Sequence, residues 1–277
     1  MIQRLGGLAL LALGVVTLAG CPVPPIKSAA TVTSTSLPEK VPDLIKYADD
    51  IYARPNPSAA EMENALLALD KAAKEEPKNF EAQWKAARAA QWLAAEYYDD
   101  KTKRAHFSGR GIDYAKAAID LEPKRVEGHY YSGINLGLSA TTKVVGAKFM
   151  VPSVRDAEKK AMQIDACYDH GGPPAVLGSL YAEAPPWPAS IGDPDKGVEL
   201  LRQALKCAPD WPLNHLLLGN ALVKAESYDE AKKEYEVVLA AQAKPEDEHS
   251  LPTWKTKAKK GLEDAEKKKQ AALSGNS

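Results

Sequence analysis

The sequence predicts an all-α protein, a right-handed α-solenoid of stacked helix pairs, on three observations. From Glu39 onward the apolar positions recur at helical spacing, and no alternation of Val, Ile and Tyr lasts long enough for a strand. Alanine, the strongest helix former, is abundant. Short Pro or Gly/Asp breaks interrupt the periodicity at Arg54-Pro55-Asn56-Pro57, Glu76-Pro77-Lys78, Glu122-Pro123-Lys124, Gly171-Gly172-Pro173-Pro174, Ala208-Pro209-Asp210 and Lys244-Pro245-Glu246. A helix pair cannot bury its apolar face alone, so successive pairs stack and enclose a concave inner face.

The N-terminus reads as an address. Arg4 precedes the apolar run Leu5 to Leu18, too short to span a bilayer, so residues 1–20 form a secretory signal peptide. Leu18-Ala19-Gly20-Cys21 resembles the lipobox of bacterial lipoproteins, which makes Cys21 the acylated N-terminus and membrane anchor. Pro22 after the cysteine implies sorting to the periplasmic face of the outer membrane, with the inner membrane as the alternative. Residues 21–38 are Pro/Ser/Thr-rich with no helical period and form a tether. As a coil it spans about 20–25 Å, and about 50 Å as extended polyproline II.

Residues 39–250 carry the solenoid. Between Pro212 and Pro245, Leu218-Gly219, Leu222, Tyr228, Ala231 and Tyr235 fall at the spacings of the tetratricopeptide repeat (TPR). Ala72, Ala118 and Ala204 each stand five residues before a proline, and Leu177-Gly178 with Tyr181 and Ser132-Gly133 with Leu136 repeat the same helix. Two insertions interrupt the register, Ser139 to Ser153 and Ala184 to Asp193. Residues 251–277 form a capping helix with a basic tail, Trp254, Ala258, Leu262 and Ala265 lying on one stripe.

Tyr130-Tyr131-Ser132-Gly133-Ile134-Asn135-Leu136-Gly137, and above all Gly171-Gly172-Pro173, Leu177-Gly178, Tyr181, Pro185, Pro188, Gly192-Asp193 and Lys196, together with the lipobox, resemble the T-component family. These are lipoproteins associated with tripartite ATP-independent periplasmic (TRAP) transporters. The resemblance covers roughly residues 40–240. It implies a non-enzymatic, self-associating partner of a periplasmic solute-binding protein that helps deliver a small apolar or carboxylated ligand. Ala175 stands where the family often has an arginine, which puts a ligand contact there in doubt.

The charge balance, 36 Lys+Arg against 37 Asp+Glu, excludes bulk nucleic-acid binding, and 45% hydrophobic residues exclude a disordered chain. GxSxG, GxxxxGK[ST] and HExxH motifs are absent, so no catalytic residue and no cofactor is assigned. Binding residues are sought on the concave face. Trp84, Arg88 and Trp92 recur at i, i+4 and i+8 with Gln91 and Glu81 nearby, a stripe suited to an anionic or planar ligand unless the indoles pack as core. Tyr130 and Ile134, then Leu216 and Asn220, continue the face as a mixed lining for an apolar ligand or a peptide.

Outside the groove, Trp187 sits in a loop stiffened by Pro185, Pro186 and Pro188, either displayed or folded back over the solenoid. Apolar residues around Phe149, including Val144 and Val145, suggest an oligomer or partner surface. Cys167 and Cys207 end second helices of consecutive repeats, where a disulfide forms if the Cα atoms lie within about 7 Å. A metal site combining them with His170 and His215 lacks any local spacing motif and is not assigned. His129 and His215 share a repeat position and are read as packing residues. The partner is thus a solute-binding protein or, alternatively, another envelope protein held on a cell-envelope assembly scaffold.

Overall fold

The computed structural model describes residues 37–143 and 146–275; the signal peptide, Cys21, most of the tether, and Val144 and Val145 lie outside the described residues. Eleven helices follow in order among those residues: α1 (Val41–Tyr52), α2 (Ala59–Glu75), α3 (Phe80–Glu96), α4 (Lys101–Leu121), α5 (Val126–Ala140), α6 (Ala147–Asp165), α7 (Tyr168–Glu183), α8 (Pro194–Cys207), α9 (Pro212–Lys224), α10 (Tyr228–Ala240) and α11 (Leu251–Gly275). No named strand occurs among the described residues; the only β pairing recorded there is the isolated bridge between Pro186 and Gly192. The protein is an α-solenoid in which each odd-numbered helix pairs with the next, up to α10.

Local chemistry sets the helix starts. Ser58 and Glu61 form a reciprocal capping box before α2, while the side chains of Asn79, Asp100 and Asp193 accept from backbone amides in the first turns of α3, α4 and α8. Prolines stand in the opening turns of α1, α8 and α9, where their missing N–H is not needed. Packing follows the repeat logic. Ala72, Ala118 and Ala204 are fully buried where helices cross, and Gly219 lies so close to the Tyr235 ring that a Cβ there would approach it within 2.7 Å.

The inner helices run parallel. Trp84 of α3 meets Tyr131 of α5, Asn135 of α5 donates to the Ala87 carbonyl (3.2 Å), and Asn214 of α9 donates to the His170 carbonyl (2.8 Å). His129 and His215 make the same bond in two repeats, to the carbonyls of Pro123 (2.9 Å) and Pro209 (2.7 Å), six residues back. Helix α11 packs along α9 and α10.

The strongest departure from regular backbone lies at the α6–α7 junction. Asp169, His170 and Gly171 adopt φ of 50°, 62° and 79°, three consecutive left-handed residues, before Pro173 and Pro174 enter the regular part of α7. Gly171 has no substitute here: its backbone is left-handed, and a Cβ would fall 2.7 Å from the Ala204 carbonyl oxygen. Cys167 and Cys207 are disulfide-bonded beside this turn, with S–S 2.09 Å and Cα–Cα 5.2 Å. Bonded sulfurs of this kind are not thiolate ligands for a metal.

Candidate functional site

The inner helices of the first four pairs bring one cationic group into an aromatic surround. Arg88 on α3 stacks over Tyr52 of α1, its guanidinium carbon 3.7 Å from the ring centroid, and lies 4.9 Å from the Trp84 centroid. Trp84 stacks on Tyr131 at 6.1 Å; Tyr131 and Tyr130 meet Tyr168 at 6.4 Å and 5.3 Å. The left-handed turn delivers the last of these rings, and its Asp169 accepts from the Tyr130 hydroxyl at 2.9 Å. Gly172 leaves space for the Tyr130 ring, which any Cβ at that position would strike.

Electrostatics keep the arginine charged. Burial opposes its charge, but Tyr52, Tyr131 and Asp49 around it raise its pKa above the ordinary arginine value. Asp49 accepts from Arg88 Nη2 at 3.1 Å and from Lys85 Nζ at 2.6 Å, and Lys85 also lies 3.2 Å from Glu81. Burial pushes the Tyr168 hydroxyl up to about 12, so the rings act as neutral walls. Among the described residues, Trp84 Nε1, Arg88 Nε and Gln91 Nε2 are buried donors with no acceptor. The three side chains fall within about 60° of arc on α3.

Sequence position alone misplaces part of the groove. Eight residues turn a helix by about 80° beyond whole turns, so Trp92 does not share the face of Trp84. Trp92 and Gln91 are buried at 3% and 2% exposure, whereas Trp84 and Arg88 are partly exposed at the rim with Glu81. Tyr130, Ile134 and Leu216 are buried too, and Asn220 is occupied in accepting from the Tyr235 hydroxyl at 2.9 Å. The expected lining from Tyr130 to Asn220 is therefore packing, not an open wall. Trp187, by contrast, is displayed: its loop is pinned by Gly192 N–H to the Pro185 carbonyl and Asp193 N–H to the Tyr181 carbonyl, both 2.8 Å, and the indole is 84% exposed.

Residues that sequence patterns did not single out complete the concave side. Tyr52, Asp49 and Tyr168 join the cage together with Tyr131, which the sequence offers only inside the Tyr130–Gly137 stretch; they come from three helices, α1, α5 and α7, so no local motif groups them. Beyond them His170 stacks flat on Trp211 at 3.9 Å, and Trp211 meets Trp254 of α11 edge-on at 5.6 Å. The segment 241–250, which joins α10 to α11, reaches back to α3 and to the α1–α2 loop. His249 packs on Trp92 at 5.4 Å, pairs with Asn56, and lies 3.2 Å from Glu96.

Comparison with known proteins agrees with the architecture. The crystal structure of TTC0263, a thermophilic TPR protein in Thermus thermophilus, is similar with a TM-score of 0.58 at 17% identity, covering 80% of this chain and 99% of that one. YrrB, a TPR protein with an unusual peptide-binding site, gives a TM-score of 0.44 at 14% identity over 80% of this chain and 92% of its own. MamA gives 0.43 at 19% identity over 71% and 88%. The family described as Regulator of microtubule dynamics protein 1-3 matches residues 44–164, under half of the chain. No curated protein matches it. At 17% identity the likeness to TTC0263 establishes the TPR-like helical-repeat fold.

Proposed function

We propose that the protein is a lipid-anchored periplasmic binding module, an accessory T-component of a TRAP-type transporter that docks a solute-binding protein through the concave face around Arg88. The observation that carries this reading is the cage itself. A charged guanidinium lies between Tyr52 and Trp84, with neighbouring indole and amide donors left without acceptors, which is a binding surface rather than a catalytic one. The lipobox-like sequence at Cys21 supports the compartment in this reading, and the Gly171–Lys196 stretch, by its resemblance, supports the transporter association. The turn at Asp169–Gly171, inside that motif, shapes one wall of the cage.

In-cell crosslinking of the acylated protein, followed by mass spectrometry, tests this. Recovery of a periplasmic solute-binding protein is the expected result. Recovery of envelope-assembly proteins without one favours the second reading, a protein–protein scaffold. That reading is supported by the chain's own segment 241–250, whose His249 packs on Trp92 and lies 3.2 Å from Glu96, so α3 already holds one irregular peptide segment.

A further inference from the structure

We propose that the Cys167–Cys207 disulfide is a redox latch on the cage: oxidised, it holds the Tyr168 wall in place, and reduction by a protein dithiol releases that wall and opens the cage. The proposal rests on the reading above that the cage is the binding site, and adds how the site is regulated.

The bond ties one wall of the cage to the end of a different helix. Cys167 stands at the α6–α7 junction and Cys207 ends α8, and the residue after Cys167 is Tyr168. Tyr168 packs on Tyr130 and Tyr131, shares a side-chain hydrogen bond with Tyr131, and feels the Arg88 charge. Beyond it come Asp169, His170 and Gly171, all left-handed, two of them carrying a Cβ. A chain holds such a run only where its surroundings fix it. On the far side it is fixed by contacts: Asp169 accepts from the Tyr130 hydroxyl (2.9 Å), the His170 carbonyl accepts from Asn214 (2.8 Å), and the His170 ring stacks on Trp211 (3.9 Å). On the near side packing is thin. Ala161 is buried and so is Gly171, but none of residues 162–170 between them is. A segment with few buried contacts opens at low cost, so the covalent tie at Cys167 supplies the constraint that packing does not. Once it is cut, Asp169 and His170 can return to right-handed backbone and carry the Tyr168 ring with them.

The bond is placed for exchange. Cys167 is exposed and Cys207 half-buried, so an incoming thiolate meets the Cys167 sulfur first. Its attack on Cys167 Sγ forms a mixed disulfide and breaks the S–S bond; the electron pair leaves on Cys207, which takes a proton. The second thiol of the dithiol then attacks the dithiol's own sulfur in the mixed disulfide and expels Cys167 as a thiolate, which is protonated in turn. The protein has gained two electrons and two protons, and the dithiol has become its disulfide. The reduced state has a place for its new thiol: the Ala166 carbonyl oxygen lies 3.7 Å from Cys207 Sγ and can accept from it.

The test treats the full chain with dithiothreitol in the absence of denaturant. Alkylation and mass spectrometry should find both cysteines reduced, with helicity by circular dichroism unchanged. Amides of 168–172 should then exchange at least about tenfold faster, and Tyr168 should be nitrated by tetranitromethane at least about threefold faster, with exchange in α9 and α10 unaltered. The variant Cys167→Ser with Cys207→Ser should show the reduced pattern with or without reductant. A bond that yields only after denaturant is added, or unchanged exchange and nitration in the reduced chain, overturns the proposal. So does loss of helicity, or acceleration spreading through α9 and α10, because the bond would then staple the whole stack rather than one wall. A response of the double variant to dithiothreitol overturns it too, by assigning the effect to the reagent. No partner protein takes part in these measurements, so their failure is separable from failure of the crosslinking.

Discussion

Two stretches of the concave wall are made from equivalent helices and meet different fates. In the first repeats, α1 presents Tyr52 and α3 presents Trp84 and Arg88 to a partly exposed cage ringed by Asp49, Lys85 and Glu81. In the last repeat α9 presents Leu213, Leu216 and Leu217, and these are sealed, because α11 follows and packs along α9 and α10 with Trp254 fully buried. Position within a repeat thus assigns a side chain to the inner face, but the elements that come after it decide whether that face is a surface. The cage lies at the end of the stack that no capping helix reaches.

Four sets of substitutions sharpen or break this contrast. The largest effect is expected at the sealed side of α3: Trp92→Ala should cost about 3–5 kcal/mol in chemical denaturation, because it removes a buried indole and the seat of His249. Trp84→Ala, at the rim, should cost about 1–2 kcal/mol. Equal losses would erase the distinction between rim and core. Next, replacing Cys167 and Cys207 by Ser should lower stability by about 2–4 kcal/mol, since the bond closes a loop of 40 residues beside the left-handed turn. Thermal melts with and without reductant check it: the wild type should respond to reductant and the double variant should not.

A third substitution concerns a carboxyl the binding reading does not use. Glu158 of α6 is fully buried, neither of its oxygens has a partner among the described residues, and it lies against Gly133, where any Cβ would collide with Oε1. Burial holds its pKa well above the glutamate value of 4.5. A folded-state pKa raised above the unfolded one makes its contribution fully present below pH 4.5 and lost as pH rises through the folded value. Glu158→Met should therefore raise stability at pH 8 by about 1–3 kcal/mol and flatten the decline above pH 4.5. A lower melting temperature at pH 8 would show that the carboxyl has a partner the packing does not reveal.

The smallest effect is expected at His215. Burial alone would lower its pKa, but the hydrogen bonds to Glu234 (2.6 Å) and to the Pro209 carbonyl raise it above 6.5. Its contribution is fully present below pH 6.5 and disappears as pH rises through the folded pKa. Glu234→Gln should remove about 1 kcal/mol or less, and only at pH below that value, as read from melting curves at pH 5.5 and 8.5. A loss equal at both pH values would assign the bond a neutral role.

Much of the architecture is legible in the sequence because it is local. Ala72, Ala118 and Ala204, the Leu-Gly pairs and the proline breaks report helix crossings a few residues apart, and each of those alanines is fully buried. The site is legible only in part. Trp84 and Arg88 lie one turn apart and can be read as a pair, but Tyr52, Tyr131 and Tyr168 come from other helices, and Asp49 meets Arg88 across 39 residues. A spacing of two turns groups Trp92 with them, and overlooks the rotation accumulated over eight residues. Lys244-Pro245-Glu246 reads as a helix break, and so it is. Nothing in its composition says that the following residues return to Asn56 and Glu96.

Site-specific photo-crosslinking in cells tests the location of the binding face. A photoreactive phenylalanine analogue is placed singly at Trp84 on the cage rim, at Leu216 under the cap, and at Trp187 on the exposed loop. The concave-face reading predicts protein adducts from position 84 and none from 216. Adducts from position 187 with none from 84 would contradict it, and would move the binding surface to the edge of the solenoid.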